Sequence, residues 1–150
     1  MGTVIEDAAR ASAWIATALS SSGYIADFTP ASLWQIDRFF DEQAQGGMAK
    51  PDGLLSQDLG SRLFAVGAYI GEVIRRERGG EWVADDNSPQ AEINIAMRLP
   101  DGTTCWPVQP AMKRFKNGPE DGIAAYGVMM RLEVGPQPIH VERRLWWRFW

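Results

Sequence analysis

Apolar residues recur at helical spacing in the first half of the chain. Val4, Ala8, Ala11, Ile15, Ala18 and Leu19 form one stripe. Thr3 and Glu6 precede it as a capping box, in which the hydroxyl accepts from a backbone N–H and the carboxylate reaches back. Leu33, Ile36, Phe40 and Ala44 form a second stripe, with Thr29 as cap, Pro30 in the first turn and Gly46-Gly47 as the stop. After the loop MAKPDGLL, a third helix is predicted from a cap at Ser56 to about Arg78. The period then changes. EWVA reads as a strand and DDNSPQ as a turn. AEINIAMRL alternates, with Ile93, Ile95, Met97 and Leu99 on one face. Pro100-Asp101-Gly102 is a turn that sends TTCWP back as the second arm of a hairpin. VQPAMKRFKNG predicts a short helix. PEDGIAAYGVMMRLEVG predicts another, from Pro119 to before Gly135, burying Ile123, Tyr126, Met130 and Val134. The order is about three helices, a small antiparallel sheet of about three strands, two helices and an extended tail (136–150). That order argues for an α+β fold, read as one domain over 1–150.

The third helix carries glycines in its interior. Advancing about 100° per residue, Val73, Val66, Leu59, Ile70, Leu63 and Ile74 fill one arc. Gly67, Gly60 and Gly71 lie side by side at its border. Ala65, Ala68, Tyr69, Glu72, Arg75 and Arg76 fall on the opposite half, which the wheel assigns to solvent. Each interior glycine costs roughly 1 kcal/mol relative to alanine. Three on one stripe imply close approach of another backbone, either a neighbouring element or a partner seated in a shallow groove. Gly79 and Gly80 have a separate role, ending the helix and freeing the chain to turn into the strand, where Trp82 folds back as core.

Composition narrows the function classes. The chain has 150 residues, 45% hydrophobic and 23% charged, which is ordinary globular usage rather than that of a disordered segment. A net charge of −4 and a pI near 5.0 oppose a nucleic-acid binder, which needs a basic footprint, and suit a basic protein partner. Cys105 is the one cysteine, so no intrachain disulfide forms. The start MGTVIEDAARASAWIA has neither a signal-peptide nor a transmembrane pattern, and Glu6 stands where a myristoylation signal wants Ser or Thr. A cytoplasmic protein is expected.

The core GAYIGEVIRRERGGEWV, followed by the hairpin, WPVQPAMKRFKNG and the last helix DGIAAYGVMM, resembles a bacterial family of small domains of unknown function. Such domains carry a glycine-rich helix, a Gly-Gly-x-Trp segment, a proline-containing segment and a final helix. SLWQIDRFFDEQ upstream fits as well, so the resemblance covers roughly residues 29 to 132. It implies a structural motif rather than a chemistry. Domains of this kind occur as toxin-immunity or accessory proteins.

No catalytic set stands out. His140 is the one histidine and has no recognisable nucleophile near it in sequence. With one His and one Cys, a zinc site of nitrogen and sulfur ligands is not expected, and no metal or cofactor is assigned. Cys105 reads as a small buried hydrophobe, and Asp85 to Asn87 as turn chemistry lacking the spacing of a calcium loop. Asp37, Asp41 and Glu72 are helix carboxylates. An enzyme or ligand-binding domain would have to use Asp37 or Glu72 in a cleft beside the glycine groove of Gly60, Gly67 and Gly71.

The tail IHVERRLWWRFW concentrates tryptophan and arginine: Trp146, Trp147 and Trp150 with Arg143, Arg144 and Arg148 interleaved. One reading docks it on the body as a staple. Another makes Arg144, Trp146, Trp147, Arg148 and Trp150 a partner surface, because Trp and Arg dominate interface hot spots. A membrane surface or stacked nucleic acid would also suit these residue types, but the acidic balance opposes both. The sequence therefore points to a non-enzymatic bacterial protein-binding module, of the immunity type that inhibits a toxin, with a ligand-binding enzyme or an oligomerisation domain as the alternatives. The expected partner is a protein or a second copy, with no nucleic acid and no transmembrane segment.

Overall fold

The computed structural model describes residues 3–139. The fold is α+β, with α1 (Val4–Ser21), α2 (Leu33–Gln43), β1 (Ala44–Gln45), β2 (Met48–Ala49), α3 (Leu59–Arg78), β3 (Glu81–Val83), β4 (Ala96–Arg98), β5 (Thr104–Cys105), α4 (Val108–Asn117) and α5 (Ile123–Met129). Turns of 3-10 helix precede α2 and α5. β1 and β2 form a hairpin around Gly46-Gly47, and β3-β4-β5 form a three-stranded antiparallel sheet. Among the described residues no helix is long and apolar enough to cross a membrane.

Local chemistry sets most boundaries. Thr3 and Glu6 complete the capping box: Glu6 N–H donates to Thr3 Oγ1 at 3.1 Å, and Thr3 N–H to Glu6 Oε1 at 3.0 Å. Gly79 ends α3 at φ 77°, donating its N–H to Arg75 O. The α3 start differs from the sequence reading. Ser56 turns its hydroxyl back to Gly53 O, and the helix begins only after Asp58, which sits in the left-handed region at φ 50°.

Two further elements are shorter than the periodicity implied. The alternating stretch 91–99 forms a strand only over Ala96–Arg98. Its partner β3 is three residues long, and the register closes with Val83 opposite Ala96. Residues 91–94 have no strand to pair with and turn on themselves, Ala91 N–H to Ser88 O and Asn94 N–H to Gln90 O, leaving Ile93 exposed. The last helix likewise does not run from Pro119 to Gly135. It breaks at Gly122 and ends at Met130, where Leu132 N–H reaches Gly127 O and Arg131 N–H reaches Val128 O. That pair of bonds is a Schellman closure, with Arg131 at φ 63° in the place glycine usually takes.

α3 is the core of the fold. Every residue from Leu63 to Ile74 is buried, including Ala65, Ala68, Tyr69 and Glu72, which the helical wheel places in solvent. The wheel assumes one covered face, whereas α3 is covered on several sides. α1 and α4 pack along it, and the β3 arm folds over it. Tyr69 Oη accepts from Phe28 N–H at 3.0 Å and lies 2.6 Å from Ser32 Oγ. The Phe28 ring stacks on Tyr69, with the Arg76 guanidinium 3.8 Å from the Phe28 centroid. Glu72 is only 6% exposed. Arg75 Nε donates to its Oε2 at 2.7 Å, Trp82 Nε1 to the same oxygen at 2.9 Å, and Arg75 Nη2 to Oε1 at 2.9 Å. Burial alone would push the Glu72 carboxyl up. The bonds from Arg75 and Trp82 outweigh it and hold the carboxyl below its ordinary value.

The glycine stripe does not act as a unit. A β-carbon on Gly67 would lie 2.5 Å from Val108 Cα, so this glycine admits the backbone of α4. Gly71 lies against the Trp82 indole, and Gly60 faces open space. The expected groove is therefore filled from within by Val108 and Trp82, and only Gly67 meets another backbone. Replacing each glycine by alanine separates these cases in denaturant unfolding. Gly67→Ala is expected to cost about 1–3 kcal/mol, because backbone cannot yield. Gly60→Ala is expected to gain up to about 1 kcal/mol from helix propensity. Equal effects would refute the assignment.

Candidate functional site

α4 and α5 are neighbouring helices, and both are tied to α2. Asp37 lies on α2, and its carboxylate faces both helices. Oδ1 accepts from Arg114 Nε of α4 at 3.0 Å and from Ile123 N–H at 2.8 Å, while Oδ2 accepts from Ala124 N–H at 2.9 Å. Asp37 therefore caps the start of α5 from 86 residues away. Arg114 Nη2 also donates to the Asp37 carbonyl at 3.1 Å and to Asp41 Oδ1 at 2.6 Å. The Arg114 side chain is 4% exposed, so the ion pair is formed in the interior, where an unpaired charge is costly.

This anchoring leaves a cleft of about 450 Å³ on the other side of the α4–α5 pair. One wall is Trp106, Gln109, Pro110 and Lys113. Facing it, Gly122, Ala125, Tyr126 and Met129 follow the spacing of one helix face. Cys105 and Met130 lie at its base, both buried. The volume falls in the range of about 300–1,000 Å³ typical of binding pockets.

The cleft has a neutral floor and a charged rim. Burial pushes the Cys105 thiol up, only partly opposed by its hydrogen bond with Tyr126 and by Arg78. Burial, then the Cys105 neighbour, also pushes the Tyr126 phenol well above its ordinary range. Both groups are therefore uncharged near neutral pH, and the thiol is not an activated nucleophile. At the rim stand Lys113, Glu120 and Asp121, the last accepting from Asn117 Nδ2 at 2.7 Å. Large apolar side chains remain in solvent here: Trp106 is 45% exposed, Met129 69%, and neighbouring Val128 is exposed as well.

The residues singled out from sequence fall in three places. Arg144, Trp146, Trp147, Arg148 and Trp150 lie outside the described residues, as does His140. Gly67 and Gly71 are buried under Val108 and Trp82, so the space beside them holds no cleft for Asp37 or Glu72 to serve. Asp37 and Glu72 are engaged by different arginines, and Asp41 shares Arg114 with Asp37. Among the described residues no group of three His, Cys, Asp or Glu side chains is placed to hold a metal ion.

Sequence reasoning missed Arg114 and the cleft. A signal for Arg114 was present: it follows Ala111 by three and precedes Phe115, inside the stripe that α4 buries. A charge in that position calls for a buried partner. The exposed face of Trp106 and Met129 had no such signal, because both residues read equally well as core. Compared with protein-family models, curated proteins and solved structures, the chain finds no match.

The anchoring makes a specific demand on stability. Asp37→Ala takes from Arg114 its more buried carboxylate, leaving the half-exposed Asp41 and a backbone carbonyl, and also uncaps α5; it is expected to lower unfolding free energy by about 3–5 kcal/mol. Asp41 is 41% exposed, so Asp41→Ala is expected to cost no more than about 1 kcal/mol. Denaturant unfolding of the two variants checks this, and a cheap Asp37→Ala would contradict it.

Proposed function

We propose that the chain is a non-enzymatic protein-binding module, an immunity-type inhibitor that occludes a toxin partner in a bacterial cytoplasm. The observation that carries this reading is the α4–α5 cleft. Its floor is apolar and neutral, its rim is charged, and Trp106 and Met129 of its lining stand in solvent. An apolar centre within a polar rim is the anatomy of a protein interface, and aromatic and methionine side chains are the ones such centres favour. The acidic balance of −4 adds attraction for a basic partner. Arg144, Trp146, Trp147, Arg148 and Trp150, outside the described residues, are proposed as partner-binding on their residue types alone. The resemblance of GAYIGEVIRRERGGEWV to the bacterial domain family supports the class of protein. An enzyme built around Asp37 or Glu72 draws less support, since Arg114, Arg75 and backbone donors already engage those carboxylates.

Affinity capture from the native cell tests the proposal when a surface variant is run beside the intact protein. Trp106→Ala with Met129→Ala removes two exposed side chains and leaves the fold intact by circular dichroism. The intact protein is expected to retain a stoichiometric protein partner, and the double variant to lose at least about 30-fold in affinity, the scale of one hot spot. Equal binding by the double variant, or turnover of a substrate by the purified chain alone, would overturn the proposal.

A further inference from the structure

A second cavity, of about 510 Å³, lies at the C-terminal end of α4 and shares no lining residue with the α4–α5 cleft. Its walls include Asp41 of α2, Ala44 and Gln45 of β1, and Arg114, Phe115 and Pro119 from α4 and the turn after it. The Arg114 side chain is buried, and its Nε and Nη2 are engaged by Asp37 and Asp41. Nη1 carries two further N–H groups, for which no described residue supplies an acceptor. A buried donor calls for a partner, and Arg114 lines this cavity. We propose that the cavity binds a free α-amino acid, whose carboxylate accepts from Arg114 Nη1 and whose ammonium donates to Asp41.

Charge selects this class of ligand. The carboxylates of Asp37 and Asp41 face the single guanidinium of Arg114, so negative charge is in excess. That excess repels a simple anion, and a simple cation makes no use of the Nη1 donors. A zwitterion satisfies both. Asp41 is half-exposed and offers its Oδ1 to Arg114, which leaves Oδ2 for an ammonium. The last carbonyls of α4 carry the partial negative charge of a helix C-terminus and favour an ammonium as well. The two subsites lie side by side, because Asp41 Oδ1 and Arg114 Nη2 are 2.6 Å apart. Such a spacing suits an ammonium and a carboxylate carried on one carbon better than charges set further apart. Ala44, Phe115 and Pro119 supply apolar wall for the ligand's own side chain. The volume lies within the range of about 300–1,000 Å³ typical of small-molecule pockets.

This site does not depend on the protein-binding reading. Titration of the full chain with single α-amino acids at millimolar concentration, followed through backbone amide NMR shifts, tests it. At least one amino acid with an apolar side chain is expected to give saturable shifts at Gln45, Gly46 and Asn117, with Trp106 and Met129 unmoved. Its carboxamide lacks the negative charge and its N-acetyl form lacks the positive one. Each is expected to bind at least about tenfold more weakly, the scale of one charge-assisted hydrogen bond. β-Alanine, whose charges sit one carbon further apart, is expected to bind more weakly than alanine. Asp41→Asn is expected to weaken the amino acid at least about tenfold and to erase its advantage over the N-acetyl form. The ligand series on the unmodified chain decides the question even where that variant folds poorly. Absence of saturable shifts with every amino acid, equal binding of the carboxamide or N-acetyl form, or shifts confined to Trp106 and Met129 would each overturn the proposal. So would undiminished affinity in a folded Asp41→Asn chain.

Discussion

One carboxylate ties the second half of the chain to the first. Asp37 sits on α2, early in the sequence, and accepts from Arg114, Ile123 and Ala124, 77 to 87 residues later. α5 is seven residues long, too short to hold its shape alone in water. Its first two amides find their acceptors on another helix, and Arg114 binds α4 to the same carboxylate. The two walls of the cleft are therefore tied from behind to α2, alongside the direct contacts between α4 and the α5 segment. That arrangement lets the opening keep Trp106 and Met129 in solvent without loss of structure.

α3 supplies the other constraint. It runs through the middle of the fold, so even its nominally polar side must be satisfied inside. Tyr69 finds Ser32 and the Phe28 amide. Glu72 finds Arg75, Arg76 and the Trp82 indole. Gly67 lets α4 approach until Val108 meets the helix backbone. The position of α4, and with it one wall of the cleft, depends on that missing β-carbon as well as on Arg114.

Much of this frame was legible in the sequence because it is local. The Thr3–Glu6 box, the end of α3 at Gly79, the hairpin turn at Pro100-Asp101-Gly102 and the start of α4 all follow from residues within a few positions of one another. What was not legible depends on distant partners. The wheel left Glu72 in water because nothing in the helix itself shows that Trp82 returns over it. The alternation of 91–99 looked like a long strand because the three-residue length of β3 is a property of the partner. The α4–α5 cleft needs Asp37 and Arg114 in one place, a pairing of residues 77 apart that no short spacing encodes. The aromatic and arginine content of 144–150 was plain to read, whereas the lining of the cleft is assembled from separate segments that no single stretch of sequence displays.

Native-state amide hydrogen exchange at Ile123 and Ala124 tests the central claim most directly. These amides open a short helix, where exchange is ordinarily fast through fraying. If Asp37 caps α5 from the interior, both exchange only through global unfolding, as slowly as the amide of Val73 in the middle of α3. Exchange at the rate of a frayed helix end would contradict the account.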